Sequence, residues 1–407
     1  MRRLTILALL LAVAHPVLAV DRVTVQQLEL EVAKLHGRRD ASAAKQLFNL
    51  DLVERLTTAR LRQLTIQLPG QRSQRALTAL ADRAAFLPLP ASDVSAAAAP
   101  NAAMQKAMLA NTAKYLANTI PKFPNFFATQ ETLRFAASSP PSKHAPQELG
   151  EEKLRFVDLE TATASFTATK GESQASAASP SQSSPTAGTL AVAGVFGPIF
   201  AVAQRDILTA KPAWARWETG QDGAVAVFHY EVVRENSHYL VEGMGSEGRL
   251  GPAAYGGEIG LDPATGAILR ITLEAVPRPD GLVKEANLLV EYGPVELGGR
   301  KYTCPLRSVA VSGARDLNPL QVLHRGNLED EGTFKLEVND MSYGEYHLFQ
   351  SQMRVLSSGE SGTGGMTLPP GSEMRPGPSE VQTPTEPKMP SEPQMPVDPQ
   401  TPIRPQL

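Results

Sequence analysis

The side chains here that could carry chemistry are a few histidines, one cysteine and one glycine-rich run. His36, His144, His229, His238, His324 and His347 form no H-E-x-x-H pair, and none stands at zinc spacing from a cysteine. No metal centre is therefore expected. Gly243-Met244-Gly245-Ser246-Glu247-Gly248 has the G-x-G-x-x-G spacing. That spacing cradles a dinucleotide only where a helix begins at its end, so that backbone N–H groups meet the phosphates. Gly251-Pro252 and Tyr255-Gly256-Gly257 follow at once, so the run reads as a loop between strands, and no cofactor is expected. No G-x-S-x-G elbow and no S-x-x-K pairing suited to acyl transfer is present, so no catalytic residue is assigned. A glycosidase carboxylate pair is recognisable only in three dimensions.

One pairing has acid–base potential. A four-residue hairpin loop after residue 232 would set Glu231 opposite His238 and Tyr230 opposite Tyr239. An exposed cross-strand pair is the simplest outcome, and an acid/base dyad or half of a metal site is the sharper one. Cys304 lies in the alternating run Lys301-Tyr302-Thr303-Cys304-Pro305-Leu306 and reads as a small buried residue of a strand. As the only cysteine it allows no intrachain disulfide, so stability must come from burial.

Composition narrows the classes further. The net charge is −3 with both signs interspersed, so there is no concentrated basic face and nucleic acid is not an expected partner. Hydrophobic residues make up 42% of the chain, enough for a sizeable core.

The elements that must position these groups can be placed along the chain. Arg2-Arg3, the apolar run from Leu4 to Ala14 and Val17-x-Ala19 predict a signal peptide over 1–19 and an exported protein, periplasmic or extracellular. The run is too short to span a bilayer, so no transmembrane segment is expected in the mature chain. Residues 20–87 predict a helical region. Val25, Leu28, Val32 and Leu35 mark a first helix, Asp40 caps a second, Asp51 caps a third carrying Leu52, Leu56, Ala59 and Leu64, and a fourth runs from Ser73 to Ala85. A linker is expected over 88–103. A helix and two strand-like runs over 104–169 are expected to join the sheet domain. A Ser/Ala/Pro insert over 170–188 is expected to be disordered. Gly197-Pro198 opens a short helix, 198–208, bearing Ile199, Val202, Ala203 and Ile207.

An antiparallel β domain is predicted over 189–356. Its strands are Ala224–Val232, Ser237–Glu242, Tyr255–Leu261, Ala267–Val276, Leu282–Tyr292, Arg300–Val311 and Thr333–Leu348, with turns at Arg234-Glu235-Asn236, Asp262–Gly266 and Gly298-Gly299. Alternation around Ile268, Ile271 and Leu273, with Arg270, Thr272 and Glu274 between them, predicts one buried and one wet face. The fold class is α+β, a helical region followed by a curved, half-barrel-like antiparallel sheet with packed helices. Phe228, Tyr230, Tyr239, Val241, Ile259, Leu261, Ile268 and Leu273 are the candidate ligand-binding positions on its apolar face. From Pro384 to Pro405 every third residue is proline, placing eight on one edge of a polyproline II rod about 65–70 Å long. The Pro-rich tail over 357–407 is expected to be disordered or extended.

The run Gly257-Glu258-Ile259-Gly260-Leu261-Asp262-Pro263-Ala264-Thr265-Gly266-Ala267-Ile268-Leu269-Arg270, followed by Val290-Glu291-Tyr292-Gly293-Pro294-Val295, resembles exported bacterial proteins of unknown function. More distantly it resembles the curved-sheet family of periplasmic lipoprotein carriers of the LolA/LolB type and the related RseB/MucB-type sensor domains. The resemblance covers about 215–350. It implies a half-barrel over helices with a groove for acyl chains or a hydrophobic peptide, and no catalytic residues. The functional expectation is a non-catalytic envelope protein that binds a lipid, an acyl chain or a protein partner on a curved sheet. Two alternatives stand beside it. One is a secreted hydrolase whose site assembles only on folding, the other an adaptor whose proline tail reaches another envelope protein.

Overall fold

Short helices with narrow apolar stripes cannot stand alone in water and must be buried by neighbours. The computed structural model describes residues 21–139, 153–169, 172–174, 202–220, 223–241, 251–278, 281–316 and 333–348. The expected signal peptide, the glycine run 243–248 and the tail 357–407 lie outside the described residues. The expected insert 170–188 is described only at Glu172–Gln174, a short strand.

The N-terminal layer starts with β1 (Asp21–Val23) and α1 (Val25–Leu35), whose buried residues are Val25, Leu28, Val32 and Leu35. Thr24 closes the helix start with a capping box: its Oγ1 accepts from Gln27 N at 3.2 Å, and Gln27 Oε1 accepts from Thr24 N at 2.8 Å. Next come α2 (Asp40–Leu47), β2 (Leu50–Leu52), α3 (Thr58–Thr65) and α4 (Gln71–Arg83). Two expectations are corrected here. Asp51 does not cap a helix, because residues 50–52 pair in parallel with 21–23, and α3 starts later under a Thr57 cap. Asp40 opens α2 without capping it and reaches α4 instead. A common core of Leu28, Leu35, Leu47, Leu61, Leu77 and their neighbours holds this layer together.

The main described elements that follow are α5 (Ala102–Thr119) and a large sheet. Its strands are β3 (Phe126–Ser139), β4 (Arg155–Thr169), β5 (Glu172–Gln174), β6 (Ala213–Gly220) and β7 (Gly223–Val232), then β10 (Tyr255–Leu261), β11 (Ile268–Ala275), β12 (Val283–Leu297), β13 (Arg300–Asp316) and β14 (Thr333–Leu348). β8 (Leu240–Val241) and β9 (Gly251–Pro252) form a separate small ribbon. The order β5-β4-β3-β14-β13-β12-β11-β10-β7-β6 is antiparallel at every step. The two end strands do not pair, so the sheet is not closed into a barrel.

Alternation sends successive side chains to opposite faces, and both faces are covered. Phe228, Ile259, Ile271, Leu288 and Val290 belong to one core with Met108 and Leu116 of α5. Leu289, Val309, Val311, Leu336 and Val338 belong to another with Ala79 and Ala85 at the end of α4. The expected wet face is therefore overturned: Thr272 is buried, Arg270 and Glu274 are half-buried, and Arg55 of the N-terminal layer meets Glu218, the partner of Arg270. The expected hairpin between 224–232 and 237–242 is also overturned. β7 pairs with β6 and β10, and residues 234–236 form a helical turn.

Two glycines are required by close approach. A Cβ on Gly257, whose φ is 157°, would stand 2.0 Å from the Thr272 carbonyl oxygen. Gly266, at φ 75°, ends the Asp262 turn where α5 crosses it, and a Cβ there would stand 2.6 Å from the Asn111 carbonyl carbon.

Candidate functional site

The eight candidate positions come together. Phe228, Tyr230, Tyr239, Val241, Ile259, Leu261, Ile268 and Leu273 are all buried in the one core on the α5 face. Register explains the grouping: Phe228 pairs with Ile259, Leu261 with Ile268, and Ile259 with Ile271. Tyr230 pairs with Gly257, not with Tyr239. The two tyrosines meet through a third ring, since each stands edge-on to Tyr255, at 5.9 Å from Tyr230 and 5.3 Å from Tyr239. The Tyr230 hydroxyl donates to the Thr272 carbonyl oxygen at 2.5 Å. The Tyr239 hydroxyl is buried and makes no hydrogen bond among the described residues. Burial pushes its ionisation far above the usual phenol range. Cys304 is buried in the same core, and burial pushes its thiol up to about 12, which leaves it unreactive while covered.

Among the described residues this face is covered by α5, with Val202 and Ile207 of the turn before β6 in the same core. Only Met108, Thr112 and Leu116 of the 18 residues of α5 are buried, with Leu109 and Tyr115 packed beside them. Tyr115 donates its hydroxyl to Thr303 Oγ1 at 2.8 Å.

The pairing of Glu231 with His238 does not form. Glu231 lies 3.6 Å from His229 on the surface. His238 is instead held by Asp206, a residue that neither periodicity nor motif singled out. Asp206 lies in a π-helical turn, Ala203–Ile207, and its carboxylate is fully buried. Oδ2 accepts from His238 N at 2.7 Å and from the Tyr255 hydroxyl at 3.0 Å, while Oδ1 stands 2.6 Å from His238 Nδ1. A carboxylate on Nδ1 fixes that nitrogen as the donor and leaves Nε2 outward. The His238 side chain is 55% exposed. No described Ser, Thr or Cys side chain is hydrogen-bonded to Nε2.

The opposite face carries a seam of charge that sequence reasoning missed. Arg270 grips Glu218 with both terminal nitrogens, at 2.7 and 3.0 Å. Arg216 bridges Glu218 and Glu258 at 2.6 and 2.5 Å, and Arg55 from the N-terminal layer approaches Glu218 at 3.5 Å. Pairing register continues the alternation, with Arg270 opposite Glu291 and Glu291 opposite Arg307. Thr58 of α3 donates to Glu291 at 2.5 Å and accepts from Arg307 at 2.8 Å. Arg307 also binds Asp82 of α4 and, at 2.9 Å, Asp340 of β14.

The electrostatics of the seam are uneven. Burial alone would raise the Glu218 carboxyl, but Arg270, Arg55 and Arg216 outweigh it and hold it near about 2. At Asp82 burial wins: with Asp340 close by, its carboxyl is raised well above the ordinary range despite Arg307. Among the described residues four guanidinium groups face five carboxylates here, and Asp82 Oδ2 has no hydrogen-bond partner. Burial and the neighbouring Asp340 thus favour the protonated form of Asp82 more than Arg307 favours its ionised form.

Among the described residues no cluster of His, Cys, Asp and Glu is placed to hold a metal ion, and no helix is long and apolar enough to cross a membrane. No protein-family model, no curated protein and no solved structure matches this chain.

Proposed function

We propose that this chain is an exported, non-catalytic protein that binds a lipid or acyl chain on the α5 face of its sheet. The observation that carries this is the unequal fastening of the two faces. The α4 face is held to the N-terminal layer by Arg55, Thr58 and Asp82, so parting it would leave buried charges unpaired, at a cost of several kcal/mol. Among the described residues the α5 face is covered by apolar contacts, through a narrow stripe of Met108, Leu109, Tyr115 and Leu116 on α5 and through Val202 and Ile207 at the π-helical turn. Lifting α5 exposes mainly apolar surface, and an acyl chain lying there would bury it again. A half-barrel curvature of the sheet about α5 belongs to this proposal, as does a hydrophobic peptide as a second class of occupant. The same holds for an envelope protein meeting the proline-rich tail. The hydrolase alternative has less support, because no described nucleophile reaches His238.

Cys304 supplies the test. A long-chain polyene fatty acid should bind the purified protein with a rise in probe fluorescence, and saturating probe should speed modification of Cys304 by a thiol reagent as α5 moves. A folded protein that binds no acyl probe, and shows no copurifying lipid by native mass spectrometry, overturns the proposal.

A further inference from the structure

Granting an apolar ligand on the α5 face, as proposed above, we infer that His238 recognises the acidic head of a single-chain amphiphile. The polar groups form a chain that leads from solvent into the core. His238 Nδ1 meets Asp206 at 2.6 Å, Asp206 meets the Tyr255 hydroxyl at 3.0 Å, and the Tyr255 ring touches those of Tyr230 and Tyr239. The imidazole is fixed at one end by a fully buried carboxylate, while its Nε2 has no partner among the described residues. The Tyr239 hydroxyl, on the residue next to His238, is buried and has no hydrogen-bond partner among the described residues. A buried hydroxyl left unsatisfied is costly, so a polar atom arriving from a ligand would be stabilised there. Leu240, next along the same segment, is 51% exposed and offers an apolar flank.

An acid is the head group that this arrangement favours. Between an imidazole nitrogen and a carboxylic acid one proton makes the hydrogen bond from either side, as N–H to carboxylate or as acid O–H to nitrogen. A methyl ester of the same chain has no such proton and no charge. The two ligands share their apolar part, so their difference isolates the head.

The experiment is a titration of wild-type and His238→Gln protein with hexadecanoic acid, its methyl ester and acetate. Wild type should prefer the acid over the ester by about tenfold, the scale of one hydrogen bond to a charged group. His238→Gln should bind both alike with its ester affinity unchanged, and acetate should bind neither protein measurably. NMR of the wild-type His238 ring gives a readout independent of the variant's folding, with a shift expected on adding acid and none on adding ester. An acid preference that survives in His238→Gln, or a ring that ignores the acid, overturns the inference and leaves the apolar-ligand proposal standing. Failure of wild type to bind either long-chain probe overturns both.

Discussion

Asp40, the first residue of α2, closes the start of α4: its Oδ1 accepts from Ser73 N at 2.8 Å and from Ser73 Oγ at 2.7 Å, and its Oδ2 from Arg72 N at 3.1 Å. The N-cap of α4 is Gly70, which has no side chain to do this. A residue 30 positions away therefore supplies the cap and ties two helices together. Asp40→Ala should cost about 1–2 kcal/mol, in the range of a lost cap. Urea denaturation measures it. Burial works against ionisation of Asp40, but hydrogen bonds from Ser73 and Arg72 outweigh it and lower its carboxyl. This contribution is thus present above the unfolded value near 3.8 and is lost as pH falls below it.

Asp82 has the opposite sign. Its carboxyl is raised in the folded protein, so the folded state holds this proton more tightly than the unfolded chain does. The stability tied to it is present at acid pH and declines as pH rises from about 4 through the raised folded value. Asp82→Asn keeps an oxygen for Arg307 and removes the excess charge. Above neutrality it should match or exceed wild-type stability, and its stability should fall less between pH 4 and pH 8. Parallel pH profiles of the two proteins would refute the assignment.

Arg270 and Glu218 form the best-made pair of the seam, both nearly buried. Removing the guanidinium leaves Glu218 beside Glu258 with less compensation, so Arg270→Met should cost about 3–5 kcal/mol. Replacing both, as Arg270→Met with Glu218→Leu, should recover a large part of that loss. Since Glu218 is held near about 2, its share of wild-type stability persists down to about pH 4 and disappears as pH approaches 2. Thermal unfolding of the single and double variants over that range checks both statements.

Gly266→Ala should loosen α5 without touching its sequence. The added Cβ meets the α5 backbone at Asn111 and Thr112, and φ 75° strains any side chain at that position. The expected result is faster modification of Cys304 by a thiol reagent, with the mixed helix and sheet circular dichroism kept. Cys304 reactivity equal to wild type would mean that α5 does not depend on this contact.

Tyr239→Phe removes a buried hydroxyl that has no hydrogen-bond partner among the described residues. The unliganded protein should gain on the order of 1 kcal/mol, because nothing that the hydroxyl binds is lost. A loss of similar size, measured by denaturant unfolding, would show that the hydroxyl is satisfied in solution.

Much of the architecture was legible because local chemistry imposed it. The stripe Val25, Leu28, Val32 and Leu35 is a helix face at its own spacing, and Thr24 with Gln27 forms a capping box that needs no other part of the chain. The turn Asp262–Gly266 is equally local, with the Asp262 side chain accepting from Ala264 N at 2.8 Å and Thr265 Oγ1 at 2.7 Å. Alternation in β10 and β11 was enough to group Ile259, Leu261, Ile268 and Leu273 on one face. Where a second part of the chain could compete, local signals misled. Leu50–Leu52 pairs with residues 21–23 although its surroundings read as helix, because two backbone edges were free to join.

What the residues by themselves determined is therefore the set of elements and the apolar face, since those follow from periods of two and three to four residues. Tertiary structure alone decided which charged groups meet. Periodicity marks Arg270 as the residue that faces away from Ile271, but it cannot say whether water or another layer waits there. The N-terminal helices cover that face, so a residue suited to solvent became part of a buried seam with Glu218, Glu291 and Arg307. His238 has a carboxylate partner as its chemistry allows, yet the partner is Asp206, 32 residues earlier, and not Glu231 in the adjoining strand. A side-chain pair of this kind depends on how two turns pack, and packing at that distance has no signature in spacing.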